Sequence, residues 1–306
     1  MAELLVVGSV ALDSVATPFG TVREALGGSA TYFSYSASFF TGVRLVATVG
    51  EDFPEEHLGL LRGRGVDLAG LQVSRGRTFR WAGEYGYDLN EAKTLDTQLN
   101  VFADFKPVLG PDLRSVPYLF LANIDPVLQL DVLRQMAKRP RLVALDTMNF
   151  WIQGKKTDLL RVLREVDVVT INDGEARQLA GEPNLIRAAR AIAAMGPKTV
   201  VVKRGEYGAL MLCDDRFFMV PAYPLESVYD PTGAGDTFAG GFIGYLAAID
   251  RLEATTLRRA VVYGSVMASF TVEDFSLNRL ARLTSEEIGQ RYEAFQALTR
   301  VEVAPA

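Results

Sequence analysis

The chain has 306 residues, of which 49% are hydrophobic and 23% charged, with a formal net charge of −5. That balance is ordinary for a globular protein and gives no overall field that would gather nucleic acid, though a local basic pocket for phosphates remains open. Cys213 is the only cysteine and His57 the only histidine, which excludes an internal disulfide and a Cys/His zinc centre.

In chain order, Leu4–Val7 opens the sequence as a strand and not as a secretory leader, since no basic segment precedes it. Leu45–Val49, Tyr118–Leu121, Leu142–Leu145, Val168–Ile171 and Thr199–Val202 are further apolar runs without polar alternation, as in strands covered on both faces. Helical patterns separate them: Ala30–Phe40, Glu55–Arg64, Val127–Lys138, Asp158–Arg164 and Asn184–Ala194. His57 falls at the exposed start of the second, where a catalytic role is the less economical reading. Strand and helix in alternation predict an α/β fold with a mostly parallel sheet. Long helices follow over Thr237–Ile249, Ala254–Phe270 and Ser285–Arg300, the last with Ser285 as its expected N-cap. Thr237–Ile249 is the longest weakly polar run and is shorter than the roughly 20 residues of a membrane span. The expectation is a cytoplasmic protein with neither a membrane nor a nucleic-acid partner.

One stretch breaks the rhythm. From Arg77 to Phe105 the period is two, with Phe79, Trp81, Tyr85 and Tyr87 on one face and Leu95 to Phe105 forming a second alternating run. This predicts a two-stranded antiparallel flap over 77–105, with 12–26 as a further contributor, on a single domain spanning 1–306. Four aromatic rings on one face need a cover: the body of the protein, a bound acceptor or a second subunit.

The strongest chemical signal is Asp230-Pro231-Thr232-Gly233-Ala234-Gly235-Asp236, running directly into a helix. Gly233 and Gly235, on either side of Ala234, permit a tight turn, and the free N–H groups at the helix start make it an anion site. Asp236 stands at its edge, where the helix dipole favours the ionised carboxylate that a general base requires. The plainer reading is a glycine turn with Asp236 as an ordinary N-cap.

These residues resemble the second signature of the ribokinase-like, or PfkB, family of kinases, and weaker matches follow the family in order along nearly the whole chain. The resemblance implies a three-layer α/β fold with a small antiparallel β lid, and an ATP-dependent kinase that moves the γ-phosphoryl group to a hydroxyl of a sugar. A nucleoside is the second candidate acceptor, and a non-catalytic binding protein on the same fold is the alternative from another class. It implies Asp236 as base, with Gly233, Ala234 and Gly235 forming the anion hole. Asp13, at the end of the first strand, and the Gly27-Gly28 turn would bind the acceptor. Tyr32 stands where the family's first signature has a sugar-binding Asn, and Trp81 and Asn123 are further candidate acceptor contacts. Asn172 and Glu175 fit the Asn-x-x-Glu motif that organises magnesium through water. Lys203, Gly205, Gly208 and Thr232 would border the nucleotide, and Asp230 matches a position that in some members binds a monovalent cation such as K+. Each has a simpler reading: Asp13 as a turn cap, Asn172 and Glu175 as a helix capping pair, Lys203 as a solvated surface lysine. The resemblance also implies pairing of subunits through the lid.

Overall fold

The computed structural model describes residues 3–300. The chain begins with β1 (Leu4–Val7), β2 (Ala11–Thr17), β3 (Gly20–Gly27), α1 (Ser29–Ala37), β4 (Val43–Gly50), α2 (Glu55–Gly63) and β5 (Asp67–Ser74). It continues through β6 (Arg80–Tyr85), β7 (Ala92–Gln98), β8 (Tyr118–Leu121), α3 (Pro126–Gln135), β9 (Leu142–Asp146), α4 (Asn149–Gly154) and α5 (Lys156–Leu163). Then come β10 (Val168–Asn172), α6 (Asp173–Ala180), α7 (Leu185–Ala193), β11 (Thr199–Lys203), β12 (Ala209–Cys213) and β13 (Arg216–Val220). Four helices close the chain: α8 (Ala234–Ile249), α9 (Ala254–Thr271), α10 (Asn278–Ala281) and α11 (Ser285–Thr299).

Nine strands form the main sheet in the order β13-β12-β11-β10-β9-β8-β1-β4-β5. Pairing is parallel from β11 to β5 and antiparallel only at β12 and β13. The unbroken apolar runs are explained by the two cores. On β1, Leu4 and Val6 enter the core beneath α1, α8 and α9, while Leu5 and Val7 enter the core beneath α3, α5, α6 and α7. A strand whose alternate residues both meet apolar neighbours has no reason to alternate. The result is the three-layer, ribokinase-like α/β fold that the sequence implied.

Glycines set the spacing of the helices. A Cβ on Gly240 would lie 2.5 Å from the Phe33 carbonyl oxygen, and one on Gly241 would lie 2.8 Å from Met267 Cγ. These positions let α8 press directly on α1 and α9.

The lid is a four-stranded sheet in the order β3-β2-β6-β7. Several expectations change here. Both outer pairs are antiparallel, but the central pair, β2 with β6, is parallel, because β2 and β3 belong to the lid from the start. Asp13 therefore lies on β2 and not at the end of the first strand. The second alternating run is a strand only over Ala92–Gln98, and Asn100–Asp104 is a turn of 3-10 helix. Phe79 precedes β6 and stacks on Phe102 with centroids 5.3 Å apart, while Tyr87 lies beyond the strand in solvent. The N-cap of α11 is Thr284 and not Ser285: its hydroxyl accepts from Glu287 N, and the Glu287 carboxylate accepts from Thr284 N.

Gly240→Ala tests the close approach of α8. Helix propensity alone would stabilise the protein by about 1 kcal/mol, whereas displacing the Phe33 carbonyl should cost about 1–3 kcal/mol. The denaturation midpoint should therefore fall; a rise would contradict the contact.

Candidate active site

The carboxyl ends of the central parallel strands carry the polar residues, as expected for a ligand crevice in an open α/β sheet. Asp146 ends β9, Asn172 ends β10 and Lys203 ends β11. Lys203 is not a surface lysine. Its Nζ donates to Asp146 Oδ2 at 2.7 Å, and both side chains are largely removed from solvent. Asp146 Oδ2 also accepts from Thr170 Oγ1 at 2.9 Å, and Oδ1 accepts from Thr147 N at 2.7 Å. Asp146 is thus a central member of the site that sequence reasoning missed. Its only signal was an acid ending a buried strand, and its partner lies 57 residues away.

The glycine turn faces this pair. Asp230 is buried and fixes the turn, accepting from Thr232 N at 2.9 Å and from Ser276 N at 3.4 Å. Gly233 has φ of +75°, and a Cβ there would lie 2.4 Å from the ring of Tyr32, so both backbone and packing demand glycine. A Cβ on Gly235 would lie 3.0 Å from Lys203 Nζ, which places the ammonium against the mouth of the turn. The first i→i−4 bond of α8 runs from Thr237 N to Gly233 O, leaving the N–H groups of Gly235 and Asp236 without an intrahelical partner. Backbone donors, a helix N-terminus and a buried ammonium together suit phosphate oxygens.

Asn172 and Glu175 do form the capping pair. Glu175 N donates to Asn172 Oδ1 at 2.7 Å, and Asn172 N donates to Glu175 Oε2 at 3.0 Å. Capping does not remove Glu175 from the site, because its charge still senses Lys203 and Asp146. Among the described residues no three His, Cys, Asp or Glu side chains converge to hold a metal by themselves. Such a site suits hydrated magnesium, which takes few protein ligands and keeps its waters.

The cluster is crowded with acid. Burial, then the neighbouring Asp146 carboxylate, pushes the Asp236 carboxyl up to about 8, against the pull of Lys203. Burial likewise raises Glu175 to about 7 and Asp13 to about 7. The expectation that the helix dipole keeps Asp236 ionised is corrected: in the ligand-free protein desolvation and neighbouring acids outweigh the helix end. Burial lowers the Lys203 ammonium, but Asp146, Asp236 and Glu175 more than offset it.

Asp13 closes the other side. Its carboxylate covers Gly27, where a Cβ would lie 1.9 Å from Oδ2, and it accepts from Gly28 N at 3.4 Å. Gly28 has φ of +96° at the N-cap of α1. Register places Trp81 beside Asp13 on the same face of the lid. The indole covers Gly83, where a Cβ would be 2.3 Å from its six-membered ring, and its Nε1 donates to Thr94 Oγ1 at 3.3 Å. Tyr85, two residues beyond Gly83, accepts from Thr232 Oγ1 at 3.3 Å and so joins the lid to the anion turn. Tyr32 and Tyr85 both feel the charges of Asp13, Asp230 and Asp236, which locates both phenols inside the cluster. At the lid tip, Asn90 Oδ1 lies against Gly205, whose φ is +53°. Gly208, at φ +86°, packs on the Val220 carbonyl. Asn123 follows β8, and its Oδ1 accepts from Trp151 Nε1 at 2.9 Å.

Residues 1–281 match the pfkB family carbohydrate kinase profile. The chain is 32% identical over 251 residues to the cytidine kinase of Thermococcus kodakarensis, covering 80% of this chain and 89% of that protein. Its fold is similar to the Methanocaldococcus jannaschii nucleoside kinase, an archaeal member of the ribokinase family, with a TM-score of 0.77 and 20% identity over 96% of this chain and 99% of the other. The Burkholderia thailandensis nucleoside kinase in complex with inosine superposes with a TM-score of 0.76 and 21% identity, covering 95% and 97% of the two chains.

The raised carboxyls fix the sign of a stability profile. Asp13, Glu175 and Asp236 hold protons in the folded state that the unfolded chain releases near its ordinary carboxylate values. Their contribution is fully present below about pH 4 and is lost as pH rises through about 7 to 8. Thermal melts of the ligand-free protein should show a falling midpoint across this range, and magnesium with nucleotide should flatten the fall. A midpoint that rises with pH would contradict the crowding.

Proposed function

Because this chain belongs to the pfkB family of carbohydrate kinases, and is an ATP-dependent kinase with a hydroxyl acceptor, we propose that it phosphorylates a nucleoside. One observation carries this reading: Trp81 stands in register beside Asp13 and the Tyr85 and Tyr32 phenols lie close enough to feel its charge, so the acceptor side sets aromatic surface next to that carboxylate. A free sugar would need a partner for each hydroxyl it buries. A nucleoside needs polar contacts only at its ribose and gains from stacking of its base. The 32% identity to a cytidine kinase points the same way.

In this reading Asp13 and the amide of Asn123 hold ribose hydroxyls while the base stacks on Trp81. The lid, fastened by Tyr85 to Thr232, excludes water from the reacting atoms. Asp236 takes the proton of the attacking hydroxyl as its oxygen bonds to the γ-phosphorus and the bond to the leaving ADP oxygen breaks. The N–H groups of Gly235 and Asp236, with Lys203, receive the developing charge on the transferred group. Glu175 would hold magnesium through water, and the ion would supply neutralisation of phosphate charge. Lys203 already pulls the Asp236 carboxyl toward the ionised form that acts as base, and a bound cation would add to that pull. Asn172, Gly205, Gly208 and Thr232 border the nucleotide. Asp230, already tying the turn to Ser276, is the candidate side for a monovalent cation such as K+. The whole chain acts as one kinase unit in the cytoplasm, and no helix among the described residues is long and apolar enough to cross a membrane. The exposed β7 edge with Leu95 and Leu99 is the surface through which two lids would pair as a homodimer.

A panel of nucleosides and pentoses with magnesium and ATP tests the acceptor. The reading expects turnover of a nucleoside and little with free ribose; the reverse order would return a sugar to first place. Asp236→Asn should lower kcat by roughly 10²–10⁴ without unfolding the protein, and near-normal kcat would remove Asp236 from the mechanism. Trp81→Ala should cost the acceptor about 1–3 kcal/mol of binding, the usual loss of one stacked base, while the KM for ATP stays put. Equal effects on both substrates would deny Trp81 the stacking role.

A further inference from the structure

Gln129, on α3, is fully buried beneath the strand ends of the crevice. Its Nε2 donates to the Ala122 carbonyl at 2.9 Å and to the Asp146 carbonyl at 3.3 Å. Both residues lie just past the last register pair of β8 and β9, Leu121 with Leu145. Where the pairing of these two strands stops, one side-chain amide spans them. Two carbonyl oxygens can meet only the Nε2 hydrogens, so the reverse orientation of the amide would set Oε1 against both. Oε1 itself is buried and accepts from no described residue. A buried acceptor in that state costs stability, so the donors of this residue, and not its bulk, account for a glutamine here.

We infer that Gln129 is a positioning residue that fixes the separation between the acceptor side and the phosphate side of the crevice. The strands it joins divide the site. Asn123 follows β8, and Ala122 N donates to the Val7 carbonyl at 3.0 Å, which fixes the end of β8 to β1 and so to the chain leading into Asp13. On the other side Asp146, Asn172 and Lys203 end β9, β10 and β11. Asp146 is held within that group by register with Thr170 and by its bonds to Thr170 Oγ1 and Lys203 Nζ. The candidate acceptor contacts thus move with β1 and β8, and the Lys203–Asp146 pair moves with β9 to β11. The boundary between the two groups falls between β8 and β9, where the Gln129 amide bridges their ends. Phosphoryl transfer needs the acceptor oxygen and the phosphorus in line at short range. Losing the bridge leaves each half-site whole and sets the two at the wrong distance, so the loss appears in kcat.

This role rests on the kinase reading, and the bridge itself is measured apart from turnover. Gln129→Met keeps the length of the side chain and removes both donors. With magnesium, ATP and cytidine, or ribose should the acceptor panel select it, kcat should fall about tenfold or more while both KM values stay within about threefold, since a displacement of about 1 Å can cost roughly a hundredfold in rate. Calorimetric titration of the variant with magnesium and a non-hydrolysable ATP analogue should return the parent's stoichiometry and affinity, which separates a mispositioned enzyme from an unfolded one. Val132→Ala, buried on the same helix, should lower the melting midpoint and leave kcat as in the parent. In an Asp146→Asn background, adding Gln129→Met should change kcat by less than about twofold, because residues that act as a unit are not additive. Should Gln129→Met fail to fold, the parent protein carries the test by nuclear magnetic resonance: the Gln129 side-chain amide protons should exchange with solvent far more slowly than those of exposed Gln178. A parent protein that turns over neither acceptor overturns the kinase reading and leaves the bridge to be judged by that exchange. Fast exchange at Gln129, a near-normal kcat in Gln129→Met, a loss carried by KM, an equal loss in Val132→Ala, or full additivity with Asp146→Asn overturns the role.

Discussion

One buried ammonium holds the site together. Lys203 ends β11, pairs with Asp146 at the end of β9, and lies against Gly235 at the mouth of the turn. Asp236 feels Asp146, Asp13 and Glu175, and Glu175 in turn feels Asp146. Without the Lys203 charge the acids would face each other across a space too dry to screen them. The parallel sheet is what makes the pairing possible, since it delivers the carboxyl ends of adjacent strands to one edge in register. Burial and the crowding of carboxyls around one ammonium raise Asp13, Glu175 and Asp236 together.

The lid is tied to that cluster at several points of different chemistry. Tyr85 meets Thr232 on the anion turn, Asn90 meets Gly205 at the strand-end turn, and Ser276 Oγ donates to the Leu26 carbonyl at 2.6 Å. At its root, Asp52 accepts from Thr78 N at 2.7 Å and Thr78 Oγ1 at 2.8 Å and pairs with Arg80. The lid therefore meets the Asp13 side of the cluster through Trp81 and the Gly205 turn through Asn90.

Much of this was legible in the sequence, for identifiable reasons. Strands buried on both faces announce themselves as unbroken apolar runs, and β1 and β8 were read to the residue. The glycine turn was legible because Gly233 and Gly235 have no cheaper explanation once a helix follows them. What escaped depended on distance or on mixed patterns. Asp146, Asn172 and Lys203 each end a strand one residue beyond its apolar run, so each predicted strand stopped one residue short; Asn172 and Lys203 were marked by the family resemblance and Asp146 was not. Asp146 gave no local sign of its partner. β5, half-buried at the sheet edge, and the hairpin of β12 and β13 lack the repeating pattern that marks the central strands. The parallel pairing of β2 with β6 joins segments about 70 residues apart, and nothing within either segment encodes its partner. The lid run from Leu95 to Phe105 alternated correctly but was cut at Gln98, because Asn100 at φ +48° turns the chain into a 3-10 helix whose Phe102 packs on Phe79.

The central claim is that Lys203 sets the protonation of Asp236 while serving the phosphate side of the reaction. The direct measurement is the pH dependence of kcat/KM for the acceptor in Lys203→Gln beside the parent protein, with magnesium and ATP saturating. Removing the ammonium removes the one charge that pulls the Asp236 carboxyl down, so the limb on which activity rises with pH should move to higher pH, and the KM for ATP should rise with it. A limb that stays where it is in the parent protein, with ATP bound as before, would contradict the account.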